Sequence, residues 1–200
     1  MEGIFTKIYE KKIWGDNKNK NYSGSSGGGS CTSYNKKYVE ILKKVISDYN
    51  ITSVVDLGCG DFRTGKSIYN DIDIIYTGYD AYKKVIDYNI TEHPKPKYTF
   101  EHLDFYNNKE TIVKGDMCIL KDVIQHWSLN EIYLFLDYLT TSNKFKYILL
   151  VNCCNQKSEN QDCSTGNFRG LKCNILPLKK YNPIKICNYN SKEISIIHIS

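Results

Sequence analysis

The segment VVDLGCG, residues 54–60, decides the fold class of this 200-residue chain. Val54, Val55 and Leu57 form a short apolar run that is typical of a buried β-strand, and two glycines follow it directly. Gly58 and Gly60 allow the backbone to turn tightly and to approach a ligand closely. The next residues, DFRTGKSIYNDI (61–72), predict a helix. The segment therefore indicates a strand, a glycine loop and a helix in succession.

Strands and helices alternate on both sides of this unit. Upstream, apolar residues at helical spacing predict a helix over residues 32–50, with Thr32 or Ser33 as its cap. Downstream, strands are predicted in residues 73–81, 95–105, 115–123 and 145–154. Helices are predicted at 82–90 and at 128–142, where Ser128 is the expected cap. This alternation is typical of a parallel sheet covered by helices on both faces.

The last part of the chain departs from this alternation. Residues 155–168 predict a long loop, and PIKICNY (183–189) and EISIIHIS (193–200) are strand-like with no helix between them. These two runs predict a hairpin. The expected fold class is α/β: a Rossmann-like, doubly wound, mostly parallel seven-stranded sheet with a C-terminal antiparallel hairpin. We expect a single domain, with residues 1–31 as an N-terminal segment and 32–200 as its body.

Composition excludes several classes of protein. The chain is 41% hydrophobic, and no apolar run reaches the ~20 residues that span a bilayer. The start, MEGIFTKIYEKKIW, has no apolar core typical of a signal peptide. The eight cysteines contain no C-x-x-C pair, and the four histidines are scattered, so neither a disulfide framework nor a metal site is expected. We expect a cytoplasmic protein with reduced thiols, in the host cytoplasm if the protein is viral.

The charge of the chain argues against a nucleic-acid partner. The formal net charge is +5, but the lysines are spread along the sequence and only Arg63 and Arg169 are arginines. Specific readers of phosphates and bases usually employ arginine forks. A solvated lysine surface is therefore the preferred interpretation, and the oligomeric state is left open.

Polar groups follow each predicted parallel strand, where ligands of such sheets bind. Asp56 lies at the tip of the first strand, and Asp80 ends the second, 22 residues after Gly58. An acid at about this distance accepts hydrogen bonds from ribose hydroxyls. Asp104 and Phe105 end the third strand, and LKDVIQHWS (120–128) ends the fourth. Together these ends predict a site for a nucleoside-containing ligand.

This set of strand ends resembles the class I S-adenosylmethionine-dependent methyltransferases. VVDLGCG is similar to their first motif, Asp80 matches their ribose-binding acid, and Asp104 and Phe105 match positions beside adenine. A group within that family shares three further features, seen here as IWGD, YSGSSGGGS and LKDVIQHWS, over roughly residues 4–190. The usual third glycine of the first motif is Phe62 here, so the loop is not assumed to follow the common backbone path.

The resemblance implies a cofactor and a set of residues that bind it. The cofactor is S-adenosyl-L-methionine, with S-adenosyl-L-homocysteine as its product. The implied cofactor-binding residues are Trp14, Ser30, Asp56, Gly58, Cys59, Gly60, Arg63, Asp80, Ala81, Asp104, Phe105, Lys121, Asp122 and Val123.

The segment NYSGSSGGGSC, residues 21–31, has two interpretations. It is either a flexible spacer or part of a lid, residues 14–31, that folds over the mouth of the cofactor site with Trp14 or Tyr22 near the ligand. Glycine supplies the freedom that a lid hinge needs. The position of the segment after Trp14 and Gly15 favours the lid, as in the resembling group.

A competing motif overlaps the glycine loop. GDFRTGKS, residues 60–67, matches the phosphate-binding pattern G-x-x-x-x-G-K-[ST], with Lys66 on the terminal phosphates and Ser67 on magnesium. A P-loop kinase or NTPase is therefore a rival hypothesis. The methyltransferase is preferred because it also accounts for Asp56, Asp80 and Asp104.

The catalytic residues proposed for methyl transfer follow the fourth strand. His126 is the candidate general base for a hydroxyl acceptor, and Asp122, four residues earlier, is expected to orient its ring. Trp127, Asn152 and Arg169 are the candidate acceptor-binding residues. The plainer alternatives are a structural histidine and a core tryptophan.

Several acceptors are disfavoured by the fourth strand. Its end, KDVI, lacks the two prolines of enzymes that methylate amino groups, no Pro-Cys pair is present, and the fifth strand ends in VNCCN without a carboxylate for a metal. A sugar, glycan or other small-molecule hydroxyl is the preferred acceptor. A non-catalytic cofactor-binding scaffold and an RNA methyltransferase remain open alternatives.

Overall fold

The computed structural model describes residues 1–17, 21–30 and 34–199. The α-helices are α1 (Glu2–Glu10), α2 (Lys36–Asp48), α3 (Arg63–Tyr69), α4 (Lys83–Glu92) and α5 (Leu129–Thr141). The strands are β1 (Ser53–Leu57), β2 (Ile75–Asp80), β3 (Tyr98–His102), β4 (Met117–Lys121), β5 (Tyr147–Cys153), β6 (Ile184–Tyr189) and β7 (Lys192–His198). Short 3₁₀ turns occupy Gly28–Ser30, Lys109–Thr111, Ile124–His126 and Leu178–Tyr181.

The seven strands form one sheet in the order β3-β2-β1-β4-β5-β7-β6. β1 pairs with β2, β2 with β3, and β4 with β5 in parallel, whereas β7 is antiparallel to both β5 and β6. The predicted fold class is therefore confirmed, including the C-terminal hairpin. The hairpin turns at Asn190, whose φ of 49° is a left-handed value that asparagine tolerates.

Two compact units make up the chain, Met1–Ile112 and Val113–Ser200. The first unit holds β1–β3 and an aromatic cluster around Phe62, whose ring lies 4.7 Å from that of Tyr76 and 5.0 Å from that of Phe100. Phe62 is 2% exposed and has a left-handed φ of 55°. The residue that replaces the third glycine of the loop is thus a core residue.

The second unit contains β4–β7 and α5. Ser128 caps α5 as predicted: its side chain accepts a hydrogen bond from the amide of Glu131, and the Glu131 side chain accepts one from the amide of Ser128. This reciprocal capping box satisfies two amides that the first helical turn leaves unpaired.

The N-terminal part contains one helix that was not predicted and two predicted caps that the structure does not describe. Helix α1 was not predicted; it buries Ile8 and Tyr9 within the first unit. The predicted caps Thr32 and Ser33 lie outside the described residues, and α2 begins at Lys36 after Asn35. No helix in the described part of the chain is long and apolar enough to cross a membrane.

Candidate functional site

The glycine loop after β1 is held against the end of β2. The amides of Gly58 and Cys59 both donate to the carbonyl of Tyr79, over 2.8 and 3.0 Å. Gly58 and Gly60 have φ values of 85° and 55°, in the left-handed region that favours glycine. The loop makes the tight turn that its glycines predicted and brings two successive amides onto one carbonyl. The predicted contacts of Gly58, Cys59 and Gly60 with the cofactor stay predictions.

Asp80 closes this loop with its carboxylate. Its Oδ2 accepts a hydrogen bond from the amide of Gly60 at 3.0 Å, and its Oδ1 accepts one from the amide of Tyr82 at 2.9 Å. Burial raises the pKa of Asp80 to about 6, although these amides oppose the shift. Each carboxylate oxygen keeps a further lone pair, so the predicted contact with ribose hydroxyls stays a prediction.

Asn89 supports the same loop from α4. Its side-chain amide donates to the carbonyl of Gly60 over 2.7 Å, and the residue is fully buried. Sequence reasoning missed Asn89, since it lies in a helix 29 residues away with no motif around it.

The Gly/Ser segment packs directly on the glycine loop. The amide of Asp61 donates to Oγ of Ser26 over 3.1 Å, and a Cβ on Gly60 would lie 2.6 Å from that oxygen. The hydroxyl of Tyr22 donates to Oδ2 of Asp61 over 2.9 Å. Residues 21–30 are therefore a docked part of the first unit.

Helix α1 contributes Tyr9 to this arrangement. The Tyr9 hydroxyl lies 3.0 Å from Oγ of Ser26, and its ring stacks on that of Tyr82 at 4.4 Å between centroids. Burial raises the pKa of Tyr9 well above its usual value, and the carboxylate of Asp80 adds to the shift. Tyr9 was not among the predicted site residues.

Trp14 and Ser30 both contact residues of the Gly/Ser segment. The indole of Trp14 lies 5.9 Å from the ring of Phe5, and its Cβ would be 3.9 Å from a Cβ on Gly27. Ser30 donates through its hydroxyl to the carbonyl of Ser26 over 3.0 Å. Both residues thus brace the Gly/Ser segment, and their predicted cofactor contacts stay predictions.

The end of β3 is a second polar site in the first unit. Asp104 accepts hydrogen bonds from the amide of Glu2 at 2.9 Å and from the side chain of Asn107 at 2.8 Å. Burial acts to raise the pKa of Asp104, but these donors outweigh it and the pKa is lowered. Phe105 and Ala81 are both buried.

Two further predicted site residues, Asp56 and Arg63, each have a partner within the first unit. Asp56 accepts a hydrogen bond from the hydroxyl of Tyr76 over 2.8 Å. Arg63 pairs with Asp61 through Nε at 3.0 Å.

The geometry of GDFRTGKS differs from a phosphate-binding loop. Helix α3 begins at Arg63, three residues before Lys66, and Lys66 is exposed. The amides of Gly60 and Asp61 point at Asp80 and Ser26 and therefore do not converge on one ligand position. Phosphate cradles need converging loop amides, so this geometry weighs against the P-loop hypothesis.

In the second unit, Asp122 lies between two lysines at the end of β4. Lys121 Nζ is 2.8 Å from Oδ2, and Lys192 Nζ bonds to Oδ1. Burial acts to raise the pKa of Asp122, but the two lysine charges outweigh it and the pKa is lowered. Asp122 has a φ of 60°, and Val123 follows it as the residue before the 3₁₀ turn.

Gln125 links Asp122 to His126. Its Nε2 lies 3.2 Å from Oδ1 of Asp122 and 3.3 Å from Nε2 of His126, while its Oε1 accepts a hydrogen bond from the amide of Cys153. The side chain is 4% exposed. Gln125 lies inside LKDVIQHWS, yet the sequence analysis did not assign it a role.

The hydrogen bonds of His126 determine its tautomer. Nδ1 lies 2.8 Å from the carbonyl oxygen of Asn167, and a carbonyl only accepts, so Nδ1 carries the proton. In the neutral ring Nε2 then holds the lone pair, which faces the amide group of Gln125. Burial lowers the pKa of His126, which favours this neutral form near neutral pH.

The predicted acceptor residues are all buried. Trp127 is 1% exposed and packs edge-on against Phe135 at 5.1 Å. Trp127 thus packs in the core in this conformation, and its predicted contact with an acceptor stays a prediction, as do those of Asn152 and Arg169. Asn152 and Arg169 are each 2% exposed.

Comparison with solved structures finds methyltransferases with this fold. The chain is similar to the crystal structure of the methyltransferase domain of bacterial CtHen1-C, with a TM-score of 0.64, 14% identity, and 84% of this chain and 99% of that chain covered. It is also similar to an O-methyltransferase family protein from Burkholderia thailandensis, with a TM-score of 0.63, 11% identity, and 83% of this chain but 56% of that chain covered.

A third similar structure is the N-terminal domain of EvdMO1 in the presence of SAH and D-fucose. The TM-score is 0.60 and the identity 10%, with 89% of this chain and 86% of that chain covered. No family model matches the chain, and no curated protein matches it. At these identities the likeness establishes the fold shared with methyltransferases, and the chemistry has to be argued from the residues.

Proposed function

We propose that this chain is an S-adenosylmethionine-dependent O-methyltransferase. The observation that carries the proposal is the tautomer of His126: the carbonyl of Asn167 holds the proton on Nδ1 over 2.8 Å, so the lone pair lies on Nε2. That lone pair now accepts from Gln125, and an acceptor hydroxyl would have to replace this contact. A lowered pKa keeps this imidazole neutral and able to accept a proton near neutral pH.

The residues at the strand ends of the first unit suit the proposed cofactor. S-adenosylmethionine supplies a methyl group bound to a positively charged sulfur when it is present. Asp80 and Asp104 offer carboxylate oxygens for hydroxyl and amino groups, and the tight turn at Gly58 and Gly60 lets backbone come close. Ala81 and Phe105 add apolar surface.

His126 would take the proton of the acceptor hydroxyl. S-adenosylmethionine would supply the methyl group to the acceptor oxygen, and the break of its carbon–sulfur bond would leave S-adenosylhomocysteine. Nε2 of His126 would take the proton of the acceptor hydroxyl and later release it to water. Gln125 positions the ring, because its buried amide group is anchored on the amide of Cys153. Asp122 offsets the positive charge that His126 acquires.

A sugar or other small-molecule hydroxyl is the proposed acceptor. The absence of the two prolines after Asp122 argues against amino groups as acceptors. Support also comes from the N-terminal domain of EvdMO1, which has this fold and was crystallised with SAH and D-fucose. Asn152 and Arg169 remain the proposed acceptor-side residues.

The N-terminal segment would act as a lid on the cofactor. Support comes from Ser26, which binds the amide of Asp61 directly beside Gly60, so a ligand at this loop would lie close to the segment. Replacing residues 24–29 with a rigid proline-containing sequence is expected to weaken cofactor binding. Unchanged affinity would reduce the segment to a spacer.

The testing experiment is isothermal titration of the purified chain with S-adenosylhomocysteine, beside ATP with magnesium. Micromolar binding of the former and none of the latter is expected, and the reverse result would establish the P-loop alternative. The variant His126→Ala should bind S-adenosylhomocysteine as the wild type does but lose turnover. Cofactor binding without turnover on any hydroxyl acceptor would favour a scaffold, and strong, salt-sensitive RNA binding would favour an RNA substrate.

A further inference from the structure

Arg169 is a buried arginine that is anchored through one nitrogen only. Its Nη1 donates to the carbonyl of Trp127 and lies 2.7 Å from Sγ of Cys163, while its backbone amide donates to the carbonyl of Gln125 over 3.1 Å. These contacts fix the orientation of the guanidinium group. Gln125 and Trp127 are the residues before and after His126 in sequence. The contacts therefore place the guanidinium group of Arg169 beside the turn that carries His126.

The other two nitrogens of this guanidinium are buried without partners. Nε and Nη2 of Arg169 have no hydrogen-bond partner among the described residues, and the side chain is 2% exposed. Among the described residues, no carboxylate forms an ion pair with Arg169. The other arginine, Arg63, pairs with Asp61 at 3.0 Å. A buried charge with unmet donors is costly, and such groups are usually paired or functional.

The unpartnered pair has the geometry of an oxyanion site. Nε and Nη2 share one edge of the planar guanidinium, and their two parallel N–H groups match two oxygens of a carboxylate or phosphate. At the end of β4, Lys121 and Lys192 both approach the single carboxylate of Asp122, which leaves one positive charge in excess there. The carboxylates of Asp162 and Glu131 contact Cys163 and Thr165, so the bidentate edge of Arg169, and not the surrounding charge, is the feature that points to an anion.

We propose that the acceptor carries an oxyanion group, a carboxylate or a phosphate, that docks on the Nε–Nη2 edge of Arg169. This inference rests on the proposed function, because that function makes His126 the general base. The charged group of the acceptor would bind beside the turn that carries His126. Docking there would guide a hydroxyl of the same molecule to Nε2 of His126. Arg169 is thereby a specificity-determining residue for an acidic acceptor.

Nε and Nη2 are buried, so an anion can reach them only if neighbouring groups shift. The segment that precedes Arg169 is partly open to solvent. Residues 164, 167 and 168 are exposed, and 163, 165 and 166 are half-buried. Two backbone contacts tie the segment to the base: the amide of Gly166 donates to the carbonyl of His126 over 2.8 Å, and the Asn167 carbonyl holds Nδ1. These two bonds link the segment next to Arg169 to the turn that carries His126.

The test uses the two arginine side chains as site and control. A ¹H–¹⁵N spectrum resolves the Nε–H signals of Arg63 and Arg169, and the variant Arg63→Lys assigns them. The full chain is titrated with inorganic phosphate and, separately, with acetate, against sodium chloride at equal ionic strength. We expect a saturable shift of the Arg169 signal with phosphate, acetate or both, and no matching shift with chloride. No shift, or equal shifts for both arginines, would overturn the proposal.

A second variant separates this inference from the proposed function. In Arg169→Lys, the response of the His126 ring proton to phosphate should weaken by about tenfold, because a bidentate contact is lost. Binding of S-adenosylhomocysteine should persist in this variant, with circular dichroism checking the fold. An unchanged response to phosphate would assign the anion elsewhere and overturn the inference. Failure of the wild type to bind S-adenosylhomocysteine would instead remove the proposed function.

Discussion

The carboxylate of Asp80 accepts the amide of Gly60 over 3.0 Å and thereby joins the glycine loop after β1 to the end of β2. The second oxygen of the same carboxylate accepts the amide of Tyr82 at 2.9 Å. One buried acid thus determines the path of two chain segments. Its charge state is therefore linked to the stability of the first unit.

The raised pKa of Asp80 predicts a pH-dependent stability. Below an ordinary pKa of 3.8 both folded and unfolded chains are protonated at this residue; between 3.8 and about 6 only the folded chain keeps the proton. The stability contributed by Asp80 is therefore lost as pH rises through about 6, by up to about 3 kcal/mol. Urea unfolding at pH 4.5 and 7 should show a smaller pH effect in Asp80→Asn than in wild type. Equal pH effects in the two proteins would contradict the prediction.

Ser26 is predicted to restrain the glycine loop. In Ser26→Ala, the amide of Asp61 loses its acceptor at 3.1 Å, so its hydrogen exchange should be faster by about fivefold, or about 1 kcal/mol. Ser25→Ala is the matched control, because among the described residues its hydroxyl accepts from the nearby amide of Gly27 and not from the glycine loop. Equal exchange of Asp61 in both variants would show that the segment does not restrain the loop.

Burial of His126 predicts the acid limb of the rate profile. Methyl transfer requires the neutral ring, and its pKa is lowered from 6.5, so the rate should stay high until the pH falls below 6.5. The measurement is the pH dependence of kcat with saturating acceptor. His126→Ala should lose the limb together with about 10²–10⁴-fold of the rate. An acid limb above the ordinary histidine value would argue against this base.

Gln125 is predicted to be a positioning residue. Gln125→Leu removes the amide that lies 3.2 Å from Asp122 and 3.3 Å from His126, so kcat should fall by about tenfold. Binding of S-adenosylhomocysteine should be unchanged, and the chemical shift of the His126 ring should move. A lowered affinity for the cofactor with an unmoved ring signal would indicate a purely structural role.

Gly65 is predicted to be required by the core position of Phe62. A Cβ at Gly65 would lie 2.3 Å from Cδ2 of Phe62, so Gly65→Ala should lower the free energy of unfolding by about 1–3 kcal/mol. Gly3→Ala is the matched control, since nothing lies within 4 Å of a Cβ there. In helix α1 that change should be neutral or stabilising. Thermal unfolding of both variants checks the contrast.

The first ten residues carry a weak helical pattern that matches helix α1. Ile4 and Ile8, and Phe5 and Tyr9, are spaced four residues apart, which is typical of one helical face. Charged residues surround them, which makes the amphipathic pattern weak. The stacking of Tyr9 on Tyr82 shows what this face covers.

Lys192 illustrates a contact that no local pattern predicts. It lies 70 residues from Asp122, and its partner in the sheet is Cys153 at the end of β5. The register of the β5–β7 pair brings Lys192 to the carboxylate. Strand register depends on the packing of whole strands, so the contact of Lys192 with Asp122 could not be predicted from the sequence.

The sequence by itself determined the alternation of strands and helices, the C-terminal hairpin and the carboxylates at the ends of β1, β2 and β3. These features are local, because periodicity, glycines and caps act over a few residues. Tertiary structure alone decided that Trp127 is a core residue, that the carbonyl of Asn167 sets the tautomer of His126, and that Arg169 keeps an unpartnered edge. Such properties depend on which distant groups meet in the folded chain and on how far water is excluded there.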